Sequence, residues 1–185
     1  MARRRVVARR NLASDIIELA ITRPQGVAGQ LEAGAHISLK LNNAMVRQYS
    51  LCGSLEDPAL WRIAVRLEAA GRGGSSRVHD LLKADTPVLV SAPRNNFMLA
   101  PGERPCLLIA GGIGITPMLP MIESLQSRSV PWRLIYLGRN HADMAYAKEL
   151  AERYPAHVDI WSSAAQGRFD LAYALSQQAS DVRVY

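Results

Sequence analysis

The first chemical signal is a spacing of glycines. Gly111-Gly112-Ile113-Gly114-Ile115-Thr116-Pro117-Met118 follows an apolar run at residues 106–110 and leads into a helical pattern. A strand, a glycine turn and a helix start make a cradle for a dinucleotide pyrophosphate. Glycines let the backbone turn tightly and approach the ligand, while the free N–H groups and positive end of the helix face the phosphates. The spacing departs from G-x-G-x-x-G, and such turns also serve as plain connectors. A second constellation lies upstream: Arg47-Gln48-Tyr49-Ser50 on one strand, and Gly71-Arg72-Gly73-Gly74-Ser75 after the next. Two phosphate-seeking sites in this order point to a flavin followed by a nicotinamide.

Each residue has a chemical reading and a bland one. Arg47 offers a planar fork that stays charged at any working pH and suits a phosphate; the alternative is a surface arginine. Tyr49 shares a strand face with Arg47, so its ring can stack on a flat heterocycle while the arginine holds the far end; otherwise it is a barrel-core tyrosine. The loop at 71–75 can wrap a phosphate with backbone N–H groups, or be a surface loop. Pro117 suits the first turn of a helix, where its missing N–H is no loss. Arg139 and Asn140 follow the second strand of the second half, where ribose recognition occurs in α/β folds, without the acidic residue that would bind two hydroxyls. His36, His79, His141 and His157 show no metal-site spacing, and neither a zinc signature nor a G-x-S-x-G elbow appears, so no metal is expected. Direct hydride transfer between cofactors needs no general acid or base.

The elements that must hold these residues change rhythm midway. Short, often alternating segments at 6–8, 16–21, 36–41, 46–51, 61–67 and 88–90 are separated by turn signals at 24–26, 42–43 and 57–58. Trp61, Ile63, Val65 and Leu67 share one strand face, and Arg62, Ala64, Arg66 and Glu68 the other. Six such strands predict a small antiparallel barrel, with a short helix at 76–82. After Pro101-Gly102-Glu103-Arg104-Pro105, strands at 106–110, 132–137, 158–161 and 182–185 alternate with helices at 118–126, 144–154 and 171–177, the pattern of a parallel α/β sheet. The expected architecture is α+β: an antiparallel six-stranded flavin-binding barrel at 1–102, then a parallel α/β nucleotide-binding domain at 103–185. The last strand runs to the final residue with no element to cover it, so this domain is expected to be C-terminally incomplete.

Composition narrows the classes. The 185 residues and 49% hydrophobic content fit a globular chain. The net charge is +6, but Arg3, Arg4, Arg5, Arg9 and Arg10 account for most of it and leave about +1 for the rest. Without interleaved aromatics, this basic arm reads as a solvated strand edge or terminus, not a nucleic-acid surface. The apolar run at 16–21 is short and interrupted by Glu18, so neither a signal sequence nor a membrane span is expected, and the chain is expected to be cytoplasmic. Cys52 and Cys106 read as buried thiols.

With both constellations in view, the chain resembles the ferredoxin reductase superfamily, and within it the phthalate dioxygenase reductase and vanillate demethylase reductase group. The resemblance is carried by Gly34-Ala35-His36-Ile37, Arg47-Gln48-Tyr49-Ser50-Leu51, Ala64-Val65-Arg66, Gly71-Arg72-Gly73-Gly74-Ser75, Pro93-Arg94-Asn95-Asn96-Phe97 and Gly111 through Met118. It implies that Arg47 binds the flavin phosphate and that Ser50 faces flavin N5, the hydride-accepting atom, as the catalytic position. Without the resemblance, a serine ending a strand reads as a turn residue. The main chain of Ala64, Val65 and Arg66 would read the pyrimidine edge, and Thr116 would contact flavin or nicotinamide. The resemblance further implies FMN in preference to FAD, NADH in preference to NADPH, and an iron-sulfur or terminal oxygenase protein as electron acceptor. Many family members carry a further iron-sulfur domain held by four cysteines, and a Cys-Gly-Pro motif after the strand resembling 182–185. Neither occurs here, so no 2Fe-2S cluster is expected in this chain. The alternative function is a flavin-binding fragment without turnover.

Overall fold

The computed structural model describes residues 1–24, 31–42, 44–57 and 59–185. The turn signals at 24–26, 42–43 and 57–58 fall partly outside them. Six strands of the first half, β1 (Ala2–Ala13), β2 (Ile16–Thr22), β3 (Ala35–Lys40), β4 (Val46–Ser50), β5 (Leu60–Arg66) and β6 (Pro87–Val90), pair antiparallel in the order β4-β3-β6-β1-β2-β5. The two ends of that path meet where Leu51 bridges Ile63 and the Cys52 N–H donates to the Arg62 carbonyl (2.9 Å). A helix, α1 (Gly74–Leu81), follows β5, and a two-residue strand, β7 (Arg94–Asn95), adds to β3.

The N-terminal arginines lie in a strand longer than alternation suggests: β1 runs twelve residues, with Ala2–Arg5 paired to β6 and Val6–Ala13 to β2, so each half has one paired neighbour and its arginines stay largely solvated. Register shifts between Val6 and Ala8 and between Asn11 and Ala13 let one strand bend and serve both neighbours. Val6 is its single buried residue, so backbone pairing holds this strand and apolar alternation could not reveal its length.

Alternation does explain the barrel core. Ile17, Leu19, Ile21, Ile37, Leu39, Trp61, Ile63 and Val65 turn inward, while Leu67, past the end of β5, stays exposed. In the second half β8 (Cys106–Gly111), β9 (Trp132–Gly138), β10 (Val158–Ser162) and β11 (Arg183–Val184) form a parallel sheet in the order β10-β9-β8-β11. Its connections contain α2 (Ile115–Ser127), α3 (Ala147–Arg153), α4 (Ser163–Gln166) and α5 (Leu171–Ser176). Leu108, Ile115, Met121, Leu134 and Tyr136 fill the core of this half, which Ile16, Ala33, Cys52 and Ala64 of the barrel complete. The barrel's outer face is therefore a wall of the second core. Helix α3 starts at Ala147, later than the expected 144, because Tyr146 takes a left-handed φ of +63°. No helix among the described residues is long and apolar enough to cross a membrane.

Candidate functional site

Strand β4 aims Arg47 and Tyr49 to one side, with Leu39 and Ile37 of β3 opposite them. Arg47 lies on the first residue of α1, where a Cβ on Gly74 would come within 2.5 Å of its Nε and 3.0 Å of its Cγ. Gly73 precedes the helix at φ +74°, and no side chain caps it. A guanidinium against the positive end of an uncapped helix is a like-charge contact that an anion between them would reverse. Among the described residues, Arg47 donates one hydrogen bond, to the Val46 carbonyl (2.9 Å). Burial raises the Tyr49 phenol above its ordinary range, with Arg47 opposing.

The neighbouring positions divide. Within the loop, the Ser75 hydroxyl accepts the Glu68 N–H (2.9 Å) and the Gly71 N–H donates to the Glu68 carbonyl (3.0 Å), so these contacts close the turn. Arg72 is exposed, and a Cβ at Gly73 would meet nothing within 4 Å. Gln48 alternates to the other face of β4, beside a cavity of about 530 Å³ lined by Ser38, Ser91 and Arg94, so its side chain does not join Arg47 and Tyr49. Ser50 is half-buried at the end of the strand, two residues on from Gln48, and pairs across strands with His36, whose Nε2 is buried without a partner among the described residues. From Ser50 the chain passes through the Leu51–Ile63 bridge to β5. There Ala64 and Val65 are buried in different cores, and the Val65 carbonyl is 2.9 Å from His79 Nε2 of α1. Arg66 is the exposed member; its Nε donates to Asp15 (2.8 Å), and its Nη1 would lie 3.6 Å from a Cβ at Gly112.

That last distance brings the barrel site to the glycine turn. Gly111 ends β8 in extended backbone, Gly112 takes φ +51°, and residues Gly112–Gly114 form a 3-10 turn that runs into α2 without a side-chain cap. Cβ atoms added at Gly111 and Gly114 would meet nothing within 4 Å, so packing inside the protein does not demand glycine there. The space outside the turn is what the missing side chains keep open. Thr116 is buried, its hydroxyl donating to the Ile113 carbonyl (3.0 Å), so it braces the turn from within. Pro117 sits in the first turn of α2.

Arg139 is exposed just past β9, and its carbonyl accepts the Ala164 N–H (3.0 Å) and the Ser162 hydroxyl (2.8 Å). Beside it, at the C-terminal ends of β9 and β10, a cavity of about 370 Å³ is lined by Leu137, Gly138, Trp161, Arg168 and Phe169. Open parallel sheets bind ligands at this end. Sequence does not single out Trp161, Arg168 and Phe169, because Trp161 reaches the cavity from the end of β10 and the other two from the segment after it, remote from any glycine signal. In the fold the Trp161 and Phe169 rings meet edge to face at 5.2 Å.

Both cysteines are free and buried, as read from sequence, and burial pushes the Cys52 thiol up to about 12. Among the described residues no group of three or more His, Cys, Asp or Glu side chains is placed to hold a metal ion.

An antiparallel barrel whose outer wall completes a parallel α/β core, with a glycine-rich turn on each, is the architecture of ferredoxin-reductase-type oxidoreductases. Residues 108–182 match the family described as the oxidoreductase NAD-binding domain. Vanillate O-demethylase oxidoreductase of Pseudomonas putida is 37% identical over 185 residues, covering 97% of this chain and 58% of the relative. The crystal structure of phthalate dioxygenase reductase, described as transferring electrons from pyridine nucleotides to [2Fe-2S], superposes with a TM-score of 0.90 at 33% identity, over 100% of this chain and 59% of that one. An intact type IV self-sufficient cytochrome P450 monooxygenase gives a TM-score of 0.92 at 30% identity, over 99% of this chain and 24% of that one. Within the superfamily, the chain belongs to the phthalate dioxygenase reductase and vanillate demethylase reductase group. It spans 58% of the length of the first curated relatives it matches.

Proposed function

We propose that the chain is the flavin- and NADH-binding part of an electron-transfer reductase, with residues 1–102 holding FMN and 103–185 holding NADH. The observation that carries this reading is Arg47 lying on the uncapped start of α1. A guanidinium and a helix N-terminus repel each other mildly, and a phosphate monoester between them would satisfy both. That demand fits the single terminal phosphate of FMN, with Arg47 and the backbone of Arg72, Gly73 and Gly74 holding it and Ser75 fixing the loop.

Tyr49 would flank the ring system and Ser50 would hold a hydrogen bond at its reacting edge, with Gln48 contributing backbone only. Arg66, the last residue of β5, reaches toward Gly112, and that approach supports a meeting of the two ligands there. On the α/β side, the open faces of Gly111, Gly112 and Gly114 admit the pyrophosphate, while Thr116 and Pro117 shape the turn behind it. Arg139 and the Trp161–Phe169 cavity would take the adenosine end. When bound, FMN supplies the chemistry, accepting two electrons as hydride from NADH and passing them on singly to an iron-sulfur or terminal oxygenase protein. The protein's part is distance and orientation.

Purified chain incubated with FMN is expected to bind it and to bleach on anaerobic addition of NADH. Protein that stays colourless with both FMN and FAD would overturn the proposal. Bound flavin that keeps its colour with NADH would overturn its electron-transfer half.

A further inference from the structure

A buried carboxylate joins the two halves away from the glycine turns. Glu18 lies on β2 between the core residues Ile17 and Leu19 and is 3% exposed. Its Oε1 accepts from Arg10 Nε (2.9 Å) and Arg62 Nη1 (3.1 Å). Its Oε2 accepts from Arg10 Nη2 (3.1 Å) and from the Tyr146 hydroxyl (2.8 Å). The Cys52 sulfur is 3.4 Å from the same hydroxyl. Since that hydroxyl's proton goes to Glu18, the thiol is the donor to the phenol oxygen. Arg10 also stacks its guanidinium 5.9 Å above the Tyr146 ring.

Glu18, Arg10, Arg62 and Cys52 belong to the barrel; Tyr146 comes from the α/β half, 128 residues from Glu18. Its backbone is left-handed at φ +63°, a conformation costly for a bulky aromatic residue. Helix propensity does not require it, since α3 starts only at the next residue. The strain aims the phenol at the barrel.

We infer that Tyr146 is a positioning residue: by hydrogen-bonding the buried, doubly arginine-paired Glu18, it fixes the orientation of the α/β half on the barrel. Burial makes this contact different from the others across the boundary. Ser54 to Glu123 and Ser14 to Asp143 are exposed hydrogen bonds for which water competes, and Leu55 N–H to Glu123 and Ala100 N–H to the Tyr185 hydroxyl are only partly buried. The inference rests on the proposed function for its kinetic consequence: misplacing two reacting rings by about 1 Å costs up to roughly a hundredfold in rate.

Tyr146→Phe is the test, because it keeps the ring and removes one donor while Glu18 retains three hydrogen bonds from the two arginines, so the fold survives. In the flavin-loaded full chain, reduction by saturating NADH is expected to slow by about ten- to a hundredfold. The long-wavelength absorbance of stacked flavin and nicotinamide should weaken, with FMN affinity unchanged. Hydrogen exchange should rise in peptides covering 14–20 and 143–150 and stay parental at 35–39 inside the barrel. Ser54→Ala should leave all of these readouts parental.

Parental exchange at 14–20 and 143–150 in Tyr146→Phe overturns the inference. So does faster exchange there with an unchanged reduction rate, which would make the contact structural only. If the parent chain itself never bleaches, the proposed function has failed, and the exchange measurement alone decides the role of Tyr146.

Discussion

Replacing Arg47 with alanine is expected to weaken FMN binding and, in the flavin-free chain, to raise thermal stability slightly. The opposite signs come from one contact. With phosphate bound, Arg47 supplies charge-assisted hydrogen bonds worth about 1.5–3 kcal/mol, or roughly ten- to a hundredfold in affinity. Without phosphate, its guanidinium faces the positive end of α1, and removing it relieves about 0.3–1 kcal/mol, or about 1–4 °C in Tm for a chain of this size. Gly74→Ala probes the same contact from the other side, since its Cβ would stand 2.5 Å from Arg47 Nε and displace the side chain. The two substitutions are therefore expected to be non-additive: Gly74→Ala weakens FMN binding in the parent and has little further effect beside Arg47→Ala. Titration by quenching of FMN fluorescence, with melting curves of the flavin-free variants, measures all four corners of the cycle. Additive losses, or unchanged affinity in Arg47→Ala, would refute the placement of the phosphate between Arg47 and α1.

Gly34→Ala is expected to destabilise the chain by about 3 kcal/mol or more in urea unfolding, because Gly34 sits at φ +92° and a Cβ there would overlap the Phe97 carbonyl. A loss below about 1 kcal/mol would show that the 93–97 segment yields readily. Burial alone would raise the Glu18 carboxyl, but hydrogen bonds from Arg10 and Tyr146 and the charges of Arg10 and Arg62 bring it below its usual value. Its stabilisation is thus complete above the unfolded value of about 4.3 and lost as pH falls through the lower folded one. Stability followed from pH 6 to pH 2 should fall more steeply in the parent than in Glu18→Gln, and parallel curves would contradict the assignment. Native chain should leave both thiols unmodified by a thiol reagent at pH 8 and expose two per chain in denaturant, given burial of Cys52 and Cys106. Rapid reaction of one thiol in native protein would mean that the boundary between the halves opens readily.

What could be read from sequence was local. Gly111 through Pro117 announces itself because the strand, the turn and the helix start are consecutive, and each needs its residue types for a reason visible without a fold. Trp61, Ile63 and Val65 are legible in the same way, since a period of two fixes their face whatever their partners. Where β1 begins was not legible, because arginines at positions 3–5 carry no apolar alternation and only pairing with β6 makes that stretch a strand. The same limit hid Trp161, Arg168 and Phe169, which line a cavity only after β9 and β10 are side by side.

Glu18 shows most clearly how a non-local partner changes what a residue means. In sequence it interrupts an apolar run and signals nothing beyond a segment too polar to span a membrane. A carboxylate at a core position of a strand is costly unless charges and donors meet it there. Arg10 and Arg62, on the strands flanking β2, meet two of those needs within the barrel. The remaining lone pair accepts from a residue of the other half, so the barrel alone leaves this carboxylate one donor short. A polar group whose last hydrogen bond must come from across a boundary favours the one arrangement of the halves that supplies it. With the cofactors bound as proposed, the orientation of NADH toward flavin would be set as much by Glu18 as by the glycine turns that would hold the phosphates.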